Sequence, residues 1–478
     1  MTAWNELFDL ARPAFAQQRT FERARGLATS NLACLGRHTL TGLLCTSGQQ
    51  FVDWSAAYRL FEHERLELQR FWRVSLEAAL SCLPSTSPVV ALIDDTLVHK
   101  RGKHVAGTSW RRDPLGPRFS TNFVWASRFL QISLALPASP ETAVSSARAV
   151  PIDLEHAPTP RKPKRPASAE QLKAWRQAAD AAAISALGAR RMQALRQLID
   201  QQPSGTQRPL WLCADATFTN RTVLKNLPPR TALMGRIRQD ACLYALPEPN
   251  GGRGRCRVYG QKLPTPEQYR QDMTLPWQTV QAFAAGQEYA FDVKYVAPLR
   301  WKSSGSLCLA LLVVRPVGYR IRQGASRSYR QPAYLICTDL TLTPQQILQA
   351  YLWRWEIEVN FRDEKTLLGL GEPQVRNEAA VRTTAAFTVF TYALLLLALH
   401  RCRLAHSPLP RRRWDRVRPQ RPMTRVTTSQ ALSLFRGELW ASALRLENKN
   451  GFVAPEPYAT KPLKLFNSLQ SAVLYATG

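Results

Sequence analysis

Three acidic positions stand where they could act together on a charged substrate. Asp94 and Asp95 follow the apolar segment 87–93, which Pro88 opens and whose β-branched residues are typical of a buried strand. Asp215 follows a second such segment, 209–214. Because acids at the ends of neighbouring strands meet at one edge of a sheet, we expect Asp215 to lie beside Asp95 or its neighbour.

The third carboxylate is chosen by helical geometry. At about 100° per residue, four side chains of the segment 343–368 fall within an arc of about 60°: Tyr351, Arg354, Glu358 and Lys365. Arg362 projects close to this arc, whereas Glu356 and Glu364 point away from it. One carboxylate among an aromatic ring and several cations indicates a metal ligand with phosphate-binding neighbours, so Glu358 is the candidate.

Carboxylate oxygens are the ligands that Mg²⁺ and Mn²⁺ prefer. Two such ions roughly 3.5–4 Å apart can activate an attacking water or hydroxyl and stabilise the leaving oxygen of a phosphodiester. Structural explanations also exist, because acids after strands often form turns. Likewise, Glu358 could simply pair with Arg354 or Arg362 at helical spacing.

The elements that must position these residues can be outlined. Residues 1–86 are predicted to be helical, and 87–240 to contain strands at 87–94, 104–110, 123–136 and 209–215, with a helix from the capping box at Ser168 to Ile199. The segment 137–167, rich in proline and charge, is predicted to be a surface linker or a basic loop. Residues 241–342 are predicted to be a β-rich insertion, with a hairpin turn at 251–254. A helix from Thr343 to Leu368 and a buried helix at 385–402 follow, and 403–478 is a basic C-terminal region.

The charge of the chain points to a polyanionic partner. Its 478 residues include 64 Lys and Arg against 35 Asp and Glu, a formal net charge of +29. Nucleic acid is the leading interpretation, because no amphipathic basic helix or lipidation signal supports a membrane surface. The basic segments are 161–165, 318–330 and 401–425, the last of which could be a solvated tail or a contact to DNA.

The cellular location is predicted from absences. The first ten residues do not resemble a secretory signal, and the apolar run Ala385–Leu399 is shorter than the roughly 20 residues that span a bilayer. The nine cysteines are scattered without a CxxC pair, which argues against disulfides and zinc ribbons. We expect a soluble, reduced, cytoplasmic protein.

Four other residues could contact DNA but have simpler explanations. Trp353 and Trp355 could stack on bases, yet core packing is the commoner role of such residues. His99 and His104 could touch DNA, but we expect them in the strand and the connection that follow Asp95.

The spacing Tyr-x2-Arg-x3-Glu-x6-Lys resembles the YREK signature of the DDE transposases of bacterial insertion sequences. Tyr351, Arg354, Glu358 and Lys365 match every position of it. The segment 93–104, Ile-Asp-Asp-Thr-Leu-Val-His-Lys-Arg-Gly-Lys-His, is similar to the first-aspartate block of that family, and Leu212-Cys-Ala-Asp215 takes the place of the second. The resemblance extends from the N-terminal helices to about residue 400.

This resemblance implies an α/β protein with an RNase H-like mixed-sheet catalytic core, a β-rich insertion and a helical N-terminal domain. It implies Asp95, Asp215 and Glu358 as ligands of Mg²⁺ or Mn²⁺, with Asp95 preferred to Asp94 because the family's ligand usually precedes the threonine. Tyr351, Arg354, Arg362 and Lys365 are the expected DNA contacts.

The expected reaction is metal-dependent cleavage and strand transfer at the ends of an insertion sequence. The partners would be double-stranded DNA of the terminal inverted repeats and the target, and a second copy of the chain in the synaptic complex. The N-terminal helices are the candidate for end recognition. The alternatives are an RNase H-like nuclease or resolvase without strand transfer, and a catalytically idle DNA-binding protein descended from a transposase.

Overall fold

The structure is a computed structural model that describes residues 3–443 except 114–115, 118, 249–256, 320–325, 327 and 403–424. The hairpin predicted at 251–254 and most of the basic segment 401–425 lie outside these residues. In the described part, the helices are α1 (Ala3–Asp9), α2 (Gln18–Ala33), α3 (Leu40–Thr46), α4 (Ser55–Glu62), α5 (Leu68–Leu80), α6 (Ala169–Ala181), α7 (Ile184–Asp200), α8 (Arg221–Lys225), α9 (Pro266–Gln271), α10 (Pro344–Trp353), α11 (Trp355–Thr366), α12 (Glu378–Arg401) and α13 (Thr428–Ala443).

The strands alternate with these helices along the chain. They are β1 (Val89–His99), β2 (Ser109–Arg112), β3 (Phe123–Pro137), β4 (Ala147–His156), β5 (Leu210–Ala214), β6 (Thr231–Arg236), β7 (Leu243–Tyr244), β8 (Gln278–Ala284), β9 (Gln287–Trp301), β10 (Leu309–Val314), β11 (Gly318–Tyr319), β12 (Ser328–Tyr329) and β13 (Ala333–Cys337).

The core of the sheet has the order β4–β3–β1–β5–β6. The first three of these strands are antiparallel, whereas β1, β5 and β6 run parallel. The helices α6 and α7 connect β4 to β5, which then pairs in parallel with β1. This mixed sheet confirms the predicted RNase H-like α/β core.

The strands of the predicted insertion extend this sheet. β13 pairs with β6, and β10, β9 and β7 follow in order, giving one sheet of 11 strands together with β2, β4 and β8. Residues 241–342 are therefore β-rich, as predicted. The strands described in this range continue the core sheet beyond β6, and only β11 and β12 form a separate sheet among them.

Strand β4 lies in the segment that was predicted to be a linker. Residues Ala147–His156 pair with β3 and most of them are buried. Pro151 stands where the register shifts, between the pairs of Ile132 and Ser133, a bulge that tolerates a residue without an N–H. The prediction was wrong because it gave more weight to the proline and charged residues of the segment than to the apolar residues of this ten-residue strand.

In two places, a segment that was predicted to be a single helix forms two helices. The capping box at Ser168 does start a helix, but the chain breaks at residues 182–183 and resumes as α7. The capping box of Thr343 and Gln346 starts α10, and the helix is interrupted at Arg354 before α11 begins.

The N-terminal helices α1–α5 confirm the predicted helical region. Their apolar side chains share one core with α12, where the rings of Phe71 and Phe390 stack at 4.1 Å between centroids. Helix α13 closes the same core, since Trp4 packs edge-on against Phe435. The N-terminal helices thus meet the sheet both through α12 and directly through α5, which contacts β3 and β4.

Helix α12 is long and apolar enough to cross a membrane by length and composition alone. However, 94% of its most apolar window is buried inside the protein. It contacts α1, α2, α4, α5 and β4. The prediction of a buried core helix at Ala385–Leu399 is confirmed.

Candidate active site

Asp94 and Asp215 are neighbours across two parallel strands. The last register pair of β1 and β5 is Ile93 with Ala214, so the two aspartates follow it side by side. Residues Val90, Leu92 and Cys213 precede them on the same face and pack together under α10 and α11. Asp215 stands at the end of β5, whereas β1 continues past Asp94 to His99.

Arg354 links this pair to Glu358. Its Nη1 donates to Oδ2 of Asp94 at 3.0 Å, and its Nη2 donates to Oε1 of Glu358 at 2.9 Å. The Tyr351 ring lies 5.7 Å from the guanidinium carbon. The helix is interrupted at Arg354, but this residue keeps helical backbone angles. The side chains before and after it therefore stay on the same predicted face. Tyr351, Arg354 and Glu358 are therefore together over the Asp94 face, as the sequence predicted.

Lys365 reaches the same face farther along β1. Its Nζ donates to the hydroxyl of Thr96 at 2.6 Å, and Thr96 is two residues beyond Asp94. Burial lowers the pKa of Lys365, and the charge of Glu364 counters part of that effect. The structure thus places Lys365 in the row of Asp94 and Thr96.

Arg362 does not join the other signature residues. Its side chain is 66% exposed and forms an ion pair with Asp363. It projects to solvent from α11, so a contact to DNA remains a prediction that would need the DNA to pass over this helix.

Asp95 lies on the opposite face of β1, because successive residues of a strand alternate. Arg128 of β3 donates two hydrogen bonds to Asp95, from Nε to Oδ2 at 2.6 Å and from Nη2 to Oδ1 at 2.7 Å. The expectation that Asp95 would stand with Asp215 and Glu358 is therefore corrected: Asp94 occupies that place. The strand is buried on both faces at this point, so the sequence held no alternation from which the inward aspartate could be recognised.

The electrostatics of the pair set Asp94 apart. Burial and then the nearby charge of Asp215 raise the pKa of Asp94 to about 7, although Arg354 opposes the rise. Burial alone would lower the pKa of Arg354, but Tyr351, Asp94 and Glu358 raise it. Asp94 and Glu358 thus share the guanidinium of Arg354, and Asp215 adds a further negative charge beside Asp94.

The sequence did not single out a buried polar group beside this site. Glu364 is fully buried on α11, and the side-chain amide of Gln131 donates to its Oε1 at 3.0 Å. Burial raises the pKa of Glu364 to about 8. Gln131 pairs with Asp94 in the register of β1 and β3, so Glu364 also lies over the Asp94 face. Gln131, a polar residue within an otherwise apolar strand, was the sequence feature that could have indicated this buried group.

The donor set suits a hard divalent cation at Asp94 and Asp215. A carboxylate such as Asp94, whose pKa is raised by burial and by a neighbouring carboxylate, is a group at which such an ion can replace a proton. Within the described ranges, no three His, Cys, Asp or Glu side chains are arranged to hold a metal, and Arg354 stands between Asp94 and Glu358.

The other candidate residues take structural or exposed positions. The indole of Trp353 donates to the carbonyl of Ser145 at 2.8 Å and packs in the core, whereas Trp355 is 59% exposed. His99 ends β1 and His104 lies in the following turn, both exposed. The strand predicted from His104 to Trp110 is β2, which begins only at Ser109.

A mixed sheet of this order, with acids on adjacent parallel strands and a third acid on the helix above, defines an RNase H-like nuclease core. The chain belongs to the DDE superfamily endonucleases, whose family model matches residues 12–289. The match includes both aspartates and ends before the helix that carries Glu358. No curated protein matches the chain.

Membership of this family supports metal-dependent cleavage of DNA as the general activity. Enzymes of the superfamily use divalent metals and act on DNA. The family therefore supports DNA as the polyanionic partner that the net charge of +29 indicated.

Proposed function

We propose that the protein is a DDE transposase of the YREK type that cuts DNA at the ends of an insertion sequence and joins them to a target. The observation that carries this proposal is the convergence of Asp94, Asp215 and Glu358 with Arg354 on one face of the sheet. A nuclease needs only the acids, whereas the full signature from Tyr351 to Lys365 favours the transposase.

In this proposal Asp94, Asp215 and Glu358 hold Mg²⁺ or Mn²⁺, with two ions in the working complex. The metal would supply activation of the attacking oxygen and stabilisation of the leaving oxygen. Asp94 replaces Asp95 among the proposed ligands because it lies on the face of Asp215 and Glu358, whereas Asp95 lies on the opposite face and is paired with Arg128.

The remaining signature residues bind and orient the DNA. Arg354 and Lys365 are cations on the Asp94 face and can bind the phosphates next to the cut. Tyr351 lies against the Arg354 guanidinium and fixes its direction. Since phosphoryl transfer depends mainly on positioning and charge stabilisation, the site needs no covalent protein intermediate.

Other parts of the proposal rest on the sequence. The domain division at residues 86, 240, 342 and 402 remains a prediction, and so do end recognition by the N-terminal helices, a homodimer in the synaptic complex and a cytoplasmic, nucleoid-associated location. Inverted repeats in the DNA that flanks the coding sequence would supply the substrate for every assay.

The experiment that tests the proposal mixes the protein, Mg²⁺, a DNA that carries these repeats and an unrelated plasmid. A transposase joins the repeat ends to the plasmid, whereas a nuclease or resolvase cleaves without joining. Cleavage that needs Mg²⁺ but never gives joined products would overturn the transposase and keep the nuclease. Binding without any cleavage would indicate the idle descendant.

A further inference from the structure

The hairpin of β2 and β3 carries exposed aromatic side chains that the active site does not use. Trp110 is 67% exposed, and its ring lies edge-on to that of Trp125 with 5.5 Å between centroids. The two residues are register partners, and the pair Arg112 and Phe123 follows on the same face, with Phe123 57% exposed. A cluster of exposed aromatic side chains is typical of a binding surface.

A basic loop is fixed beside these rings. The indole of Trp125 donates to the carbonyl of Gly102 at 3.0 Å, which holds the exposed residues Arg101 and Lys103 against the hairpin. The sequence from Thr96 to Arg112 contains five Lys and Arg residues and no acid. We name Arg101, Lys103, Trp110, Arg112, Phe123 and Trp125 the Trp110 surface.

The Trp110 surface lies on the same sheet face as the active site. Gln131 is the register partner of Asp94, and Trp125 is six residues from Gln131 along β3, an even separation. At roughly 3.3 Å per residue the two points are about 20 Å apart. That length corresponds to about six nucleotides of a stacked strand at 3.4 Å each. DNA held at Asp94 can therefore reach Trp110.

We propose that the Trp110 surface binds unpaired bases of the DNA strand that adjoins the cut. This inference rests on the proposed function and adds to it a single-stranded ligand. An exposed tryptophan ring can stack on a base that is unpaired, and stacking of this kind accepts any base. Arg101, Lys103 and Arg112 supply the positive charge that follows the backbone.

The test compares two DNA probes in EDTA, so that no cleavage occurs. One is a blunt duplex and the other carries a short single-stranded extension with 2-aminopurine, a base whose fluorescence falls on stacking. The wild-type protein should prefer the extended probe and quench it. Trp110→Ala should lose about tenfold in affinity for that probe only, with the fluorescence restored, and Trp110→Phe should keep most of both.

Two further variants separate stacking from charge and from general damage. Arg101→Ala combined with Lys103→Ala should weaken both probes and reduce the salt dependence by about one per cation. Met273→Ala, which removes a side chain that is 89% exposed in the insertion, should leave both affinities unchanged.

Three results would overturn the inference: Trp110→Ala binds the extended probe like the wild type, it loses both probes equally, or it dissociates a dimer of the free chain. The last would show that a second copy covers this surface. Asp94→Asn should keep the preference for the extension. A protein that prefers the extension but never joins DNA would therefore contradict the transposase and leave this inference standing.

Discussion

The two faces of β1 carry consecutive aspartates in opposite situations. Asp95 receives two short hydrogen bonds from one arginine and has its charge fully matched. Asp94 shares Arg354 with Glu358, faces Asp215, and has a pKa raised to about 7 by burial and that neighbour. A carboxylate that is fully neutralised by an arginine stabilises the fold, whereas a carboxylate that is only partly neutralised can bind a cation. Under the proposed function, this difference distinguishes the structural aspartate, Asp95, from the proposed metal ligand, Asp94.

The strongest test replaces each aspartate by asparagine. Asp94→Asn removes a carboxylate from the site and should reduce cleavage by about a thousandfold or more. Asp94→Asn should not lower the midpoint of thermal unfolding, because it removes a negative charge that Arg354 neutralises only in part. Asp95→Asn should keep cleavage near the wild-type rate and lower the free energy of unfolding by about 1–3 kcal/mol, since Arg128 loses part of its partner.

Plasmid nicking with Mg²⁺ and thermal unfolding of the same preparations measure both effects. If Asp95→Asn is folded but inactive while Asp94→Asn cleaves, the family-based preference for Asp95 would be restored and the comparison of the faces would fail.

The arginines provide the second test, of smaller effect. Arg354→Ala should reduce cleavage by roughly a hundredfold, the usual cost of losing one group that stabilises developing charge. Arg128→Ala should leave cleavage per folded molecule nearly unchanged and destabilise the protein by about 1–3 kcal/mol, because Asp95 keeps a buried charge without its partner. Urea unfolding and nicking rates give the two values. Equal loss of activity in both variants would show that the two faces are not independent.

Much of this architecture could be predicted from local patterns. The strands β1 and β5 were evident from short apolar runs that end in acids, and the capping boxes at Ser168 and Thr343 start helices as predicted. The helical spacing of Tyr351, Arg354 and Glu358 brought the right side chains together despite the interruption at Arg354.

What could not be predicted depends on pairings between distant segments. The position of β4 requires β3 as a partner, and the joining of β13 to β6 spans about a hundred residues. The choice of Asp94 over Asp95 depends on the register of β1 against β5, because a strand buried on both faces shows no alternation. Arg128 and Gln131 were missed for the same reason.

Glu364 sharpens the comparison, because it lies over the Asp94 face but is closed off from solvent. Burial raises its pKa from 4.5 to about 8, so the folded protein holds a proton that the unfolded chain releases. Its contribution to stability is therefore complete below pH 4.5 and is lost as the pH rises to about 8. Glu364→Gln keeps a neutral side chain of the same shape beside Gln131, and should remove this loss.

The expected result is a variant that matches the wild type near pH 4.5 and exceeds its free energy of unfolding above pH 8, by on the order of 1 kcal/mol or more. Urea unfolding across this pH range measures it, with Glu356→Gln, a partly buried acid of the same helix, as the control. A pH dependence that is unchanged in Glu364→Gln would mean that Glu364 is ionised in the folded protein. Negative charge would then extend from Asp94 to Glu364 on the same face of the sheet. The buried Glu364 and the proposed metal ligand Asp94 would no longer differ in their charge.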